Sequence, residues 1–176
     1  MKAAQAHPWM VLAGLALGVT VTNSFARFAY GLILPAMKSE MAWTYAQAGW
    51  LNTANALGYI VGAVITMLFI GRRSPTLLFA FGLITTTIAL LATGLNAALW
   101  WQTMWRILAG LFGAMSFSTA GVLVAGLFKD SPRHNALAIA ILFGTGGGVG
   151  IVLAGAALPG MLDHYGNSSW PMAWVA

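Results

Sequence analysis

The sequence predicts an all-α polytopic membrane bundle, and three observations lead there. Hydrophobic residues make up 60% of the chain and charged residues 6%, with a mean hydropathy of +0.82. Soluble domains carry about 25% charged residues, so no water-facing surface can be built from this inventory. The apolar residues are gathered into five runs, each long enough for the roughly 20 helical residues a bilayer core requires. The net charge of +5 comes from basic residues that fall mostly in short stretches between those runs. There they read as topology signals, and no nucleic-acid partner is expected.

The first run extends from Trp9 to Leu34. Pro8 suits its first turn, where an amide has no partner, and Pro35 is expected to stop it. The second extends from Ala46 to Ile70 and ends at Gly71-Arg72-Arg73. The third starts at Pro75 and fades at Gly94-Leu95-Asn96. The fourth covers Trp100 to Phe128 and is closed by Lys129-Asp130-Ser131-Pro132. The fifth covers Ala136 to Leu158, with Pro159-Gly160 expected to break it. A sixth opens at Ser169-Trp170-Pro171-Met172 and is cut at Ala176, so residues 1–176 read as one amino-terminal transmembrane unit of something longer.

If the spans alternate, Lys2, Arg72, Arg73, Lys129 and Arg133 share one side, and Lys38, Glu40 and Asp163 the other. Basic residues stay with the cytoplasm, which puts the amino terminus inside. Trp43, Trp100, Trp101 and Trp170 then gather at the outer interface. A cleaved secretory leader ending at Ser24-Phe25-Ala26 is the rival reading of the start. The apolar run resumes after Arg27, and cleavage would upset the charge-sided topology.

Arg27 and Arg106 lie inside apolar runs, where an ionised side chain costs roughly 2.5–3.5 kcal/mol on insertion scales. No Asp or Glu lies within the five runs as bounded above, so backbone carbonyls, water or an anionic ligand must answer these charges. Asn23, Arg27 and Tyr30 have i, i+4, i+7 spacing and would share one helical face. Asn52, Asn55 and Tyr59, at i, i+3, i+7, form a second such stripe in the second run. Two such stripes suit a cavity lining; the plainer alternative is hydrogen bonding between helices, worth about 0.6–2 kcal/mol.

Gly14 with Gly18, Gly58 with Gly62, and Gly144 with Gly148 have the Gly-x-x-x-Gly spacing that lets helices approach closely. The run Gly144 to Gly150 superficially suggests a phosphate loop, but no Lys-Ser/Thr follows it and its flanks span the membrane. Catalysis finds no support. The chain has no cysteine, no His-x-x-x-His pair and no Gly-x-Ser-x-Gly, so no catalytic residue, metal site or cofactor is expected.

The segment from Arg27 to Met37 and the segment from Trp43 to Tyr59 together resemble the first two helices of a major facilitator superfamily transporter of the YbfB/YjiJ-like branch. Arg106 followed by Gly110 and Gly113 is similar to that superfamily's fourth-helix motif. Gly71, Arg72 and Arg73 match part of its cytoplasmic loop motif, although Leu68 stands where an acid is usual. A glycine run replaces the Gly-Pro pair that many antiporters carry in the fifth helix.

The resemblance implies the amino-terminal six-helix half of an alternating-access transporter, with a carboxy-terminal half as partner and the bacterial inner membrane as location. It also implies that Arg27 and Arg106 face one pathway. Together with the polar stripes, it makes Arg27, Tyr30, Asn52, Asn55, Tyr59 and Arg106 the expected contacts for a small, anionic solute. Gly58, Gly62, Gly110, Gly113, Gly144 and Gly148 are the expected packing or gating positions. The alternative is a non-transporting membrane partner whose arginines only brace helices.

Overall fold

The computed structural model describes residues 7–174; Lys2, used above for orientation, and Ala176 lie outside them. Five helices are long and apolar enough to cross a bilayer: α1 (Pro8–Glu40), α2 (Tyr45–Phe69), α3 (Pro75–Thr93), α4 (Leu99–Ala125) and α5 (Pro132–Tyr165). Among the described residues there is no strand. The segment after α5 forms two short 3-10 turns, Asn167–Ser169 and Met172–Trp174.

The starts follow from local chemistry. Pro8, Pro75 and Pro132 each occupy a first turn, where their missing amide costs nothing. Thr44 caps α2 in a reciprocal box with Gln47: the Gln47 amide donates to Thr44 Oγ1 at 3.2 Å, and the Thr44 amide donates to Gln47 Oε1 at 2.9 Å.

Named contacts give the helix directions. Gly58 and Gly62 of α2 lie against the backbone of Ile107 and Leu111 of α4, rising together, so these helices are parallel. In α1 and α5, Thr20 Oγ1 donates to the Gly146 carbonyl at 2.7 Å and Ser24 Oγ to that of Gly147 at 2.5 Å, again in rising order. Helices α3 and α4 are antiparallel: Gly82 lies beside Phe112 and Ser116, while Trp101 Nε1 donates to Ala92 O at 2.7 Å. Helices α1 and α4 are antiparallel too, with Ala26 meeting Arg106 and Thr22 meeting Gly113, so odd and even spans alternate. The outward row Leu57, Ile60, Val61, Val64, Met67 and Leu68 leaves α2 with an apolar face suited to lipid.

Four expectations are corrected. First, Pro35 does not end α1, nor Pro159 α5. A proline ring inside a helix crowds the carbonyl four residues earlier. Here those positions are Gly31 and Gly155, both exposed with open space around them, so each helix tolerates its proline. Second, α1 is not uniformly α-helical: Thr20–Phe28 is a π-helix, and so is Ile141–Thr145 in α5.

Third, Gly144 and Gly148 face open space, as does Gly14. The α5 contact with α1 is made by Gly146 against Ala16 and by Gly150 against Thr20 and Ser24. The pairs at Gly58 and Gly62, and at Gly110 and Gly113, do meet neighbouring backbone, and Gly18 meets Phe79. Fourth, of the four tryptophans expected at one interface, Trp43 and Trp170 are buried within that end of the bundle. Trp100 is exposed and Trp101 partly so.

Candidate functional site

Arg27 follows from the wide turns of the π segment. At 1.5 Å per residue it lies roughly 20 Å from the Glu40 end of a helix that continues past Pro35, deeper than a helix ending at Leu34 would put it. Its side chain is half-buried, with the guanidinium carbon 4.6 Å from the Tyr59 ring centroid and 6.0 Å from that of Phe28. A cation over a tyrosine face is held by the ring quadrupole, an attraction of about 0.5–1 kcal/mol where water has access.

Beside it an open groove of about 360 Å³ runs between α1 and α2, lined by Arg27, Tyr30, Leu34 and Asn52 among others. Asn52 is exposed to it from α2, and Gly31 and Gly49 keep its walls low. Three of the six expected contacts thus share one groove, with Tyr59 beside it under the arginine.

Arg106 and Asn55 do not reach that opening. Arg106 is fully enclosed, and its Nη1 donates to the carbonyl of Ala26 at 2.8 Å. Its guanidinium carbon lies 4.6 Å from the Tyr30 ring and 5.6 Å from the Trp174 ring. Nε and Nη2 have no protein hydrogen-bond partner. Asn55 is buried and donates from Nδ2 to the carbonyl of Arg106 at 2.9 Å, which ties α2 to α4. Tyr30 is divided: its ring borders the groove, but its hydroxyl donates to Ala48 O at 2.8 Å.

Within α1, the π segment divides the expected stripe. Its i→i+5 turns carry more residues per turn than an α-helix, so an i, i+4, i+7 stripe drawn at 3.6 residues does not stay on one face. Asn23 accordingly lies near Gly147 of α5, Arg27 over Tyr59, and Tyr30 between Ala48 and Arg106.

One buried polar neighbour of Arg106 carried no mark among the expected contacts. Gln102, one turn before Arg106 and fully buried, donates from Nε2 to Thr93 O at 2.7 Å and Asn96 O at 2.6 Å. It satisfies carbonyls at the end of α3 that would otherwise lack partners. Its i, i+4 spacing with Arg106 was the available signal.

A larger groove of about 600 Å³ lies between α1, α3 and α5, with walls such as Phe25, Leu90, Ala157 and Trp174. It offers no charged group to a solute. Gly71, Arg72 and Arg73 form an exposed turn, with the Arg72 and Arg73 amides donating to Phe69 O at 2.9 and 3.0 Å. Among the described residues, no cluster of three or more His, Asp or Glu side chains could hold a metal ion.

Comparison with known proteins adds the family. The model of the family described as uncharacterised MFS-type transporter YbfB matches residues 8–176. No curated protein and no solved structure gives a match. The match runs through all five spans and both arginines, and the chain therefore belongs to the YbfB-type family of major facilitator superfamily transporters.

Proposed function

We propose that the protein carries a small organic anion across the membrane by alternating access, with Arg27 as the charge that receives it. The observation that supports this most is the Arg27 guanidinium on an open groove with no carboxylate nearby in sequence. The chain has three acids: Glu40 and Asp163 are close to helix ends, and Asp130 is in a loop. Holding a cation inside an apolar span costs roughly 2.5–3.5 kcal/mol, which an arriving anion offsets. A groove of about 360 Å³ stands at the lower end of the range for ligand sites, which favours a small solute.

In this reading Asn52 offers the solute an amide, Tyr59 steadies Arg27, and the Tyr30 ring forms part of the wall. Arg106 and Asn55 act behind the surface, so the bracing role considered for both arginines falls to Arg106. Folds of this kind rock two six-helix halves about a site near the midplane. The chain therefore works with a second, carboxy-terminal half in a bacterial inner membrane, its amino terminus cytoplasmic as the basic loops suggest.

The test is a ligand screen on purified full-length protein, read as thermal stabilisation. Small carboxylates, phosphates and sulfonates are compared with amines and neutral sugars. Stabilisation confined to anions and lost in Arg27→Gln is expected. Stabilisation by amines, or by anions equally well in Arg27→Gln, overturns the assignment.

A further inference from the structure

We infer that Arg106 is a positioning residue that holds the π register of α1 and thereby aims Arg27 into the groove. Peptide geometry at the end of the π segment gives the reason. The Ala29 amide donates five residues back, to Ser24 O. The α-helix that follows starts at Ala29 with Phe28 as its cap residue, whose carbonyl accepts the first α-type bond, from Leu32. Between these bonds lie the carbonyls of Phe25, Ala26 and Arg27, facing only the amides of Tyr30 and Gly31. Three acceptors meet two donors, so one carbonyl of this partly buried stretch is left over.

Arg106 brings a third donor to that stretch. Its Nη1 donates to Ala26 O at 2.8 Å from a side chain with no exposed surface. The Ala26 carbonyl directly precedes Arg27 in the chain. The guanidinium is held from two further directions by the Tyr30 and Trp174 rings, themselves stacked with centroids 6.5 Å apart. A donor locked this way fixes where the wide turns end. That sets how far Arg27 is rotated from Tyr30, whose ring borders the same groove while its hydroxyl turns to α2.

The bearing of this device on solute binding rests on the reading of Arg27 given above; the device itself does not. Amide hydrogen exchange of the full-length protein in detergent separates the two, because it needs no ligand. In Arg106→Met, which keeps the bulk between Tyr30 and Trp174 but cannot donate, exchange should rise about tenfold to a hundredfold in peptides covering Thr20 to Gly31. Peptides from α2 and α3 should change less than threefold by the same scale. Arg106→Lys, which retains a donor, should restore most of the protection. A uniform rise across all spans, no rise in α1, or a Lys variant no better than Met overturns the inference. If Arg106→Met does not accumulate, Arg106→Lys against the unmodified protein decides: protection in Thr20 to Gly31 retained supports it, and protection lost there overturns it.

Discussion

The guanidinium of Arg27 stands 4.6 Å above the Tyr59 ring, so the groove's charge is carried by α1 but steadied by α2. The ring face lies under the guanidinium, and the hydroxyl also interacts with it. Tyr59→Phe keeps the ring and should weaken anion affinity less than Tyr59→Leu, which should weaken it by at least about two- to fivefold, the equivalent of a 0.5–1 kcal/mol cation–π contact. The half-maximal concentration for thermal stabilisation by an anion found in the screen measures both.

Helix contacts make a sharper contrast. A side chain at Gly58 or Gly62 would strike the α4 backbone, and one at Gly150 would strike Ser24 at 2.5 Å, whereas Gly144 and Gly148 face open space. Gly62→Val and Gly150→Val should lower stability by about 1–3 kcal/mol, the range for overpacked contacts. Gly148→Val should stay near zero. Unfolding transitions in detergent would show the order.

Buried hydrogen bonds behind the groove should affect stability without affecting charge preference. Tyr30→Phe removes the bond to Ala48 O and should cost about 0.5–1.5 kcal/mol. Asn55→Ala removes the bond to Arg106 O and should cost about 0.6–2 kcal/mol. Either variant, measured for thermal stability and anion stabilisation together, should lose the first and keep selectivity for anions over amines.

The spans were legible because a bilayer imposes a simple length and hydropathy rule, which all five helices obey. Their ends were less so. Pro35 and Pro159 read as stops when taken alone, and only the glycine four residues before each indicates that the helix can continue. The π segment had no visible signature. Stripe analysis assumes 3.6 residues per turn, so it put Asn23, Arg27 and Tyr30 on one face that the wider turns divide. The same limit applies to α5: Gly-x-x-x-Gly spacing fits both Gly144/Gly148 and Gly146/Gly150, and spacing cannot say which pair meets a partner. Arg106 was correctly marked as a cation needing an answer; that the answer includes the carbonyl beside Arg27 depended on the folded backbone.

The absence of cysteine from the chain makes the central claim directly measurable. Asn52→Cys places on the groove the one thiol within residues 1–176, whose modification by anionic sulfonatoethyl and cationic trimethylammonioethyl methanethiosulfonates can be timed in membranes against the parent protein. The anionic reagent should gain over the cationic one relative to their rates with a free thiol, and adding Arg27→Gln should remove this gain. A ratio that is unchanged by Arg27→Gln would contradict Arg27 as the charge that receives the solute.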